Sequence, residues 1–191
     1  IRIGNFGATT YSEFMDGMER LEEQGMTDLV LDLQDNGGGY LQASVDIANE
    51  FLPHNELVVY TEGRSVHRME YKSRGNGRFT QGKVYVLVNE FTASAAEIVS
   101  GSLQDMDRAV LLGERSYGKG LVQSSRDLPY NGKLKVTMSK YYIPSGRCIQ
   151  QLDYSHRQED GSVTAIPDSL TKVFYTKNQR PVRDGGGVRP E

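Results

Sequence analysis

Apolar residues recur along this chain in two periods, one strand-like and one helical, and their alternation predicts an α/β protein. Ile1, Ile3 and Phe6 read as a first strand. Thr10-x-x-Glu13 is a capping-box pattern, and the helical stripe after it (Phe14, Met18, Leu21) is core-facing and ends at Gly25. Leu29 to Leu33 is the next buried strand, so the chain opens as a β–α–β unit, expected right-handed. Asp35-Asn36-Gly37-Gly38-Gly39 breaks the pattern, and Leu41, Val45, Ala48, Phe51 and Leu52 resume it as a helix. Leu57 to Tyr60 is a strand, and residues 61–82 are a polar excursion or hairpin whose basic side chains read as a solvated face. Further strands are expected at Val84 to Val88, Ala109 to Leu112 and Leu121 to Ser124. Leu128 to Met138 predicts a hairpin turning at Asn131-Gly132, extended by Tyr141, Tyr142 and Ile143. Residues 153–168 read as a polar surface insertion, and a last hairpin is expected around Asn178. The whole, residues 1–191, is expected to be one domain with helices packed on a central sheet.

The chemistry is concentrated between Lys83 and Gln123. A buried strand gives way at Asn89 and Glu90 to small residues (Ala93, Ser94, Ala95, Ala96), and a helix follows through Glu97, Ile98, Val99 and Leu103. Ser94 therefore sits at a strand-to-helix turn, beside free backbone N–H groups and the positive end of the helix dipole. A serine there is an ordinary N-cap, and it is also where a nucleophile is placed. A nucleophilic serine needs a base. The three histidines, His54, His67 and His156, lie in polar, loop-like segments and read as surface residues. Lys119, flanked by Gly118 and Gly120, is the alternative, since Ser–Lys pairs are a variant of the serine triad. Such a lysine must lose its proton, bringing its pKa from ~10.4 towards ~7, which calls for burial. The triple glycine after the second strand can turn its N–H groups into an anion-binding concavity, or form a plain turn. Beside a serine nucleophile it becomes an oxyanion hole with the N–H of Ala95, supplied by Gly38 in preference to Gly39.

One pattern in the same stretch is a decoy. Gly113-x-x-x-x-Gly118-Lys119 matches a phosphate loop for seven positions, but Gly120 replaces the Ser or Thr that would hold Mg²⁺, and a strand pattern follows instead of a helix.

Taken together, Thr92-Ala93-Ser94-Ala95-Ala96-Glu97-Ile98, Gly113-Glu114 and Ser116-Tyr117-Gly118-Lys119-Gly120-Leu121-Val122-Gln123 resemble the C-terminal processing peptidases, also called tail-specific proteases. The resemblance extends to Asp32-Leu33-Gln34-Asp35-Asn36-Gly37-Gly38-Gly39, to Tyr142-Ile143-Pro144-Ser145-Gly146-Arg147 with Ile149-Gln150, and to the closing Gly185-Gly186-Gly187-Val188-Arg189-Pro190-Glu191. The chain departs from the pattern at Gln34, where arginine is usual, at Gly37, where proline is frequent, and at Glu191, where aspartate is usual. The resemblance implies Ser94 as nucleophile, Lys119 as general base and Gln123 as the residue that positions the lysine. It implies a β–β–α core of the crotonase and Clp-protease kind. It also implies protein substrates cut at or near flexible C-terminal tails, a PDZ domain elsewhere in the full-length protein, and export to a periplasmic or membrane-associated location.

Composition adds exclusions. The net charge of −3 is spread over interspersed acidic and basic residues, with no basic stripe for nucleic acid. No apolar run approaches the ~18 residues of a membrane span. The single cysteine, Cys148, forms no internal disulfide and no metal pattern, and reads as a plain thiol; no cofactor is expected. A start at Ile1 rather than methionine is read as a processed or excised fragment. Two other classes remain open: a peptide- or retinoid-binding relative that does not cleave, and a crotonase-like acyl-transfer or hydratase enzyme. The second would need an acyl-carrier site and a catalytic carboxylate pair, and neither is legible.

Overall fold

A computed structural model describes residues 1–191, except for the side chain of His156, so the expectation for that histidine lies outside the described residues. Three helices, α1 (Thr10–Glu23), α2 (Leu41–Asn49) and α3 (Ala95–Asp105), are combined with eleven strands. β1 (Asp28–Asp32), β4 (Lys83–Val88) and β5 (Val110–Gly113) form a parallel sheet in the order β1-β4-β5. β2 (Leu57–Gly63), β3 (Val66–Lys72), β6 (Leu121–Asp127) and β7 (Lys133–Tyr142) form an antiparallel sheet in the order β3-β2-β7-β6. β8 (Leu152–Arg157) pairs with β9 (Val163–Ala165), and β10 (Val173–Tyr175) with β11 (Pro181–Arg183).

The core follows the hydrophobic pattern. Leu29 and Leu31 of β1 and Val84, Val86 and Val88 of β4 are buried, as alternation in a strand requires. Phe14 and Met18 carry α1 onto this core, and Phe14, Phe51 and Phe79 meet edge to face at 6.0 and 6.4 Å. Helix α3 is buried on every side, and its small residues explain how it fits. A Cβ on Gly101 would stand 2.8 Å from Ile143 Cδ1. Burying each large aliphatic side chain contributes about 1.5–3 kcal/mol, so a helix enclosed this way is held as firmly as any element in the molecule.

Several expectations are adjusted. Ile1 to Phe6 run beside β1 as isolated bridges (Arg2 to Asp32, Phe6 to Gly39) and not as a strand. The N-cap of α1 is Thr9, one residue before the capping-box pattern. Thr10 instead accepts the Gly7 N–H at 2.8 Å and donates to Asn5 O at 3.1 Å, so its hydroxyl is taken up by the preceding turn. The β6–β7 turn places positive φ at Tyr130 and Asn131, not at Asn131 and Gly132, because Asp127 pairs with Lys133 and shifts the loop back by one. The insertion at 153–168 contains the β8–β9 hairpin, since alternating residues such as Tyr154 and Val163 suffice for a short exposed ladder. In the excursion after β2, Arg68 and Lys72 pair with Glu70, Arg74 with Asp46 and Arg78 with Glu22, which fits a solvated face.

Candidate active site

β4 delivers the chain to Asn89 at the end of the parallel sheet, where the loop into α3 is fastened to the glycine loop that follows β1. Asn89 Oδ1 accepts the Asp35 N–H at 3.0 Å, and Thr92 Oγ1 donates to Leu33 O at 2.8 Å. The Ala93 N–H donates to Asn36 O at 2.8 Å. Ser94 then turns the chain into α3 with φ 58° and ψ −117°. A non-glycine residue in this region costs about 1–3 kcal/mol and persists only where its surroundings fix it. Strain of this kind projects a serine side chain off a sharp strand-to-helix turn, as in nucleophile elbows.

Glu97 fixes it. The carboxylate lies in the first turn of α3, is fully buried, and accepts four hydrogen bonds. Oε2 takes the N–H of Ser94 at 2.8 Å and of Lys119 at 2.9 Å; Oε1 takes the Ser116 hydroxyl at 2.5 Å and the Gly118 N–H at 2.7 Å. Burial pushes this carboxyl up from its usual range, while the donors from Ser116, Lys119, Gly118 and Ser94 pull it back. One side chain thereby ties the serine turn to the Gly118-Lys119-Gly120 loop. Sequence reasoning placed Glu97 among apolar helix positions and missed this; the signal was the Ser94-x-x-Glu97 spacing, itself a capping-box pattern.

The glycine loop closes the other side. Gly38 and Gly39 have φ of +95° and +146°, which side chains rarely adopt. A Cβ on Gly38 would lie 2.7 Å from Ser94 Cβ and 3.0 Å from Ala95 N, so the glycine leaves open the space in front of the serine. The buried Asn36 shapes the loop, donating through Nδ2 to Ile3 O at 2.8 Å and accepting the Gly38 N–H on Oδ1 at 2.9 Å. The N–H groups of Gly39 and Ala95 have no hydrogen-bond partner among the described residues. Of the two glycines, Gly39 retains the uncommitted donor, and Gly38 supplies room.

Ser94, Lys119, Gln123, Gly38, Gly39 and Ala95 all line one pocket of about 460 Å³. Lys119 is half-buried and Gln123 exposed, at a slip of one residue in the β6–β7 register. Among the described residues no hydrogen bond joins the Ser94, Lys119 and Gln123 side chains to one another, so the pocket gathers the three without closing them into a chain. A larger cavity of about 910 Å³ adjoins it and shares Leu121 and Gln123. His54 and His67 are exposed and stand outside the pocket. The phosphate-loop pattern fails as expected, because β6 and not a helix follows Lys119. Cys148 is half-buried, its thiol pushed up by burial. No cluster of three or more His, Cys, Asp or Glu able to hold a metal occurs among the described residues. Among the described residues no helix is long and apolar enough to cross a membrane.

Comparison with known proteins agrees with the geometry. Residues 1–155 match peptidase family S41. The carboxyl-terminal-processing protease of Synechocystis sp. is 42% identical over 152 residues, covering 80% of this chain and 35% of that protein. The chloroplastic C-terminal processing peptidase of Tetradesmus obliquus is 34% identical over 155 residues, covering 81% and 33%. Among solved structures, a photosystem II D1 C-terminal processing protease superposes with a TM-score of 0.68 at 35% identity, over 76% of this chain and 37% of that one. The chain thus spans about a third of the length of the curated relatives it matches. With the family match running through the serine turn, the glycine loop and the lysine loop alike, this chain belongs to peptidase family S41.

Proposed function

We propose that this chain carries the catalytic centre of a serine endopeptidase working through a Ser94–Lys119 dyad on flexible C-terminal segments of proteins. The observation that carries the reading is the convergence, in one pocket, of a strained serine at a helix start, a lysine held by the same carboxylate, and two uncommitted N–H groups. Neutral Lys119 takes the Ser94 proton as Oγ attacks the scissile carbonyl carbon. The N–H groups of Ala95 and the glycine loop hold the resulting oxyanion. As the C–N bond breaks, the Lys119 ammonium returns a proton to the leaving amine. A water molecule, deprotonated by Lys119, then attacks the acyl ester and frees Ser94. Gln123, on the same pocket wall, positions the lysine amine once substrate is bound.

An extended substrate has a place to lie. β6 is the outer strand of its sheet and begins two residues after Lys119, so its free edge offers main-chain partners that lead into the pocket. Leu41, Ile98 and Leu121 give the pocket an apolar wall for a side chain next to the cut bond. In the full-length protein a PDZ domain would deliver the C-terminus, and an exported or lumenal location fits relatives described as chloroplastic.

The test is labelling by a fluorophosphonate from about pH 6 to about pH 10, comparing the wild type with Ser94→Ala and Lys119→Ala. Loss in both variants, with wild-type labelling that rises as the lysine gives up its proton, is expected. Labelling that survives Ser94→Ala overturns the mechanism. Peptide binding without any labelling of the wild type would place the chain with relatives that bind and do not cleave.

A further inference from the structure

The two residues of the dyad come from different loops, 94 at the start of α3 and 119 between β5 and β6, and their relative placement must hold to a fraction of an ångström for proton transfer. Glu97 ties them on the N–H side. A second side chain ties them on the carbonyl side. The Tyr141 hydroxyl lies 2.6 Å from Lys119 O and 3.2 Å from Ser94 O. We propose that Tyr141 is a positioning residue of the dyad, its hydroxyl holding the main-chain carbonyls of Lys119 and Ser94 in register. The inference rests on the Ser94–Lys119 reading above.

The two arms are unequal. A phenol has one proton, so the short contact to Lys119 O is the principal bond and the contact to Ser94 O the weaker, shared arm. Ser94 O already accepts the N–H of Glu97 at 2.8 Å and of Ile98 at 3.0 Å. Lys119 O has no other hydrogen bond among the described residues, so its satisfaction depends on this hydroxyl.

The tyrosine is itself fixed. It is 1% exposed, its N–H donates to Gly120 O at 3.0 Å, and its strand is paired on the far side with β2 through Thr61. Its ring and backbone therefore grip the lysine loop at consecutive residues, 119 and 120. A ring that only filled the core would need no hydroxyl; a buried hydroxyl needs a partner, and here the partners are the two dyad residues. Burial, together with the negative charge of Glu97, holds the Tyr141 phenol well above its ordinary value, so it remains a proton donor throughout the working range.

The test is Tyr141→Phe together with p-aminophenylalanine at the same position, which restores a donor of similar size. In the Phe variant the melting curve should stay cooperative and the fluorophosphonate acylation rate should fall about tenfold to a hundredfold. The midpoint of its pH profile should move, while peptide affinity measured in the Ser94→Ala background stays within about twofold. The amino variant should recover most of the rate. If the Phe variant does not fold, the folded amino variant decides alone: a wild-type rate and pH midpoint support the proposal, and a tenfold loss with an unchanged midpoint overturns it. Wild-type rate and midpoint in a folded Phe variant also overturn it. Failure of the dyad itself would show separately, as undiminished labelling in Lys119→Ala with the hydroxyl intact.

Discussion

Helix α3 buries an acid at each end, and the two are satisfied by opposite means. At the N-terminal end Glu97 is surrounded by four neutral or main-chain donors and no cation hydrogen-bonds to it. At the C-terminal end Asp105 faces the equally buried Arg147, 2.9 Å away, and accepts the Ser145 N–H at 3.0 Å. Arg147 also donates to Gln104 Oε1 at 2.8 Å and Arg183 O at 3.1 Å, so this ion pair fastens the β10–β11 hairpin and the chain after it to the helix. Burial pushes both acids up from their ordinary values, opposed at Asp105 chiefly by the Arg147 charge and at Glu97 by hydrogen bonds alone. The difference has a functional sense. An arginine beside Glu97 would put a permanent positive charge near Lys119, the proposed base, which would keep the amine neutral but oppose its uptake of the Ser94 proton, whereas dipoles solvate the carboxylate without adding that charge. One end of the helix is built for cohesion and the other for geometry.

Breaking the cohesive end should have the largest effect on stability. Arg147→Ala leaves Asp105 as an uncompensated buried charge, and chemical denaturation should show a loss of about 3–5 kcal/mol. At temperatures where the variant is still folded, its fluorophosphonate labelling should remain close to wild type, because no group of this pair lines the pocket of Ser94. A folded Arg147→Ala protein that no longer labels would erase the division between the two ends.

Glu97→Gln tests the other end and should cost less stability and more chemistry. An amide can turn its NH₂ towards Ser116, whose hydroxyl oxygen can accept, and keep its oxygen on the Ser94 and Lys119 N–H groups. The Gly118 N–H then faces a donor, a loss of about 1–3 kcal/mol. The lysine loop loses one tether, and acylation should slow by more than the stability change alone would produce. A protein that melts at lower temperature and labels at full rate would show Glu97 to be purely structural.

These contrasts also explain what was legible in the sequence. Elements defined by their own periodicity, such as β4 with Val84, Val86 and Val88 or the Phe14–Met18 stripe of α1, were readable because burial acts on each residue locally. Ser94, Lys119 and the glycine loop stood out because their motifs taken together resemble one family, although each alone also reads as an N-cap, a phosphate-loop fragment or a plain turn. Glu97 and Tyr141 were not. Glu97 bonds residues up to 22 positions away and Tyr141 up to 47; the Ser94-x-x-Glu97 spacing marks the acid as a cap without showing what else it bonds, and nothing local distinguishes a core tyrosine from a core phenylalanine. The one-residue shifts at Thr9 and at Tyr130-Asn131 have nearer causes: the Thr10 hydroxyl is bonded into the turn before the helix, and Asp127 pairs with Lys133 across the hairpin.

The smallest effect separates the strain at Ser94 from its chemistry. Ser94→Ala and Ser94→Gly both remove the proposed nucleophile, so neither should label, but only glycine accepts φ 58° and ψ −117° without steric cost. Alanine keeps the Cβ and therefore keeps the strain. Relief in the glycine variant is about 1–3 kcal/mol, offset by about 0.4–1 kcal/mol from the greater freedom of its unfolded chain. Ser94→Gly should accordingly be the more stable of the two by about 1 kcal/mol, a difference of about 2–4 °C in Tm for a chain of this length. The C-terminal end of the same helix offers the control: Met106 closes it at φ −85°, so glycine in place of alanine there should destabilise. Equal melting temperatures for the two Ser94 variants would mean that Glu97 and the glycine loop hold an unstrained turn, and the N-terminal end of α3 would then be shaped by hydrogen bonding alone.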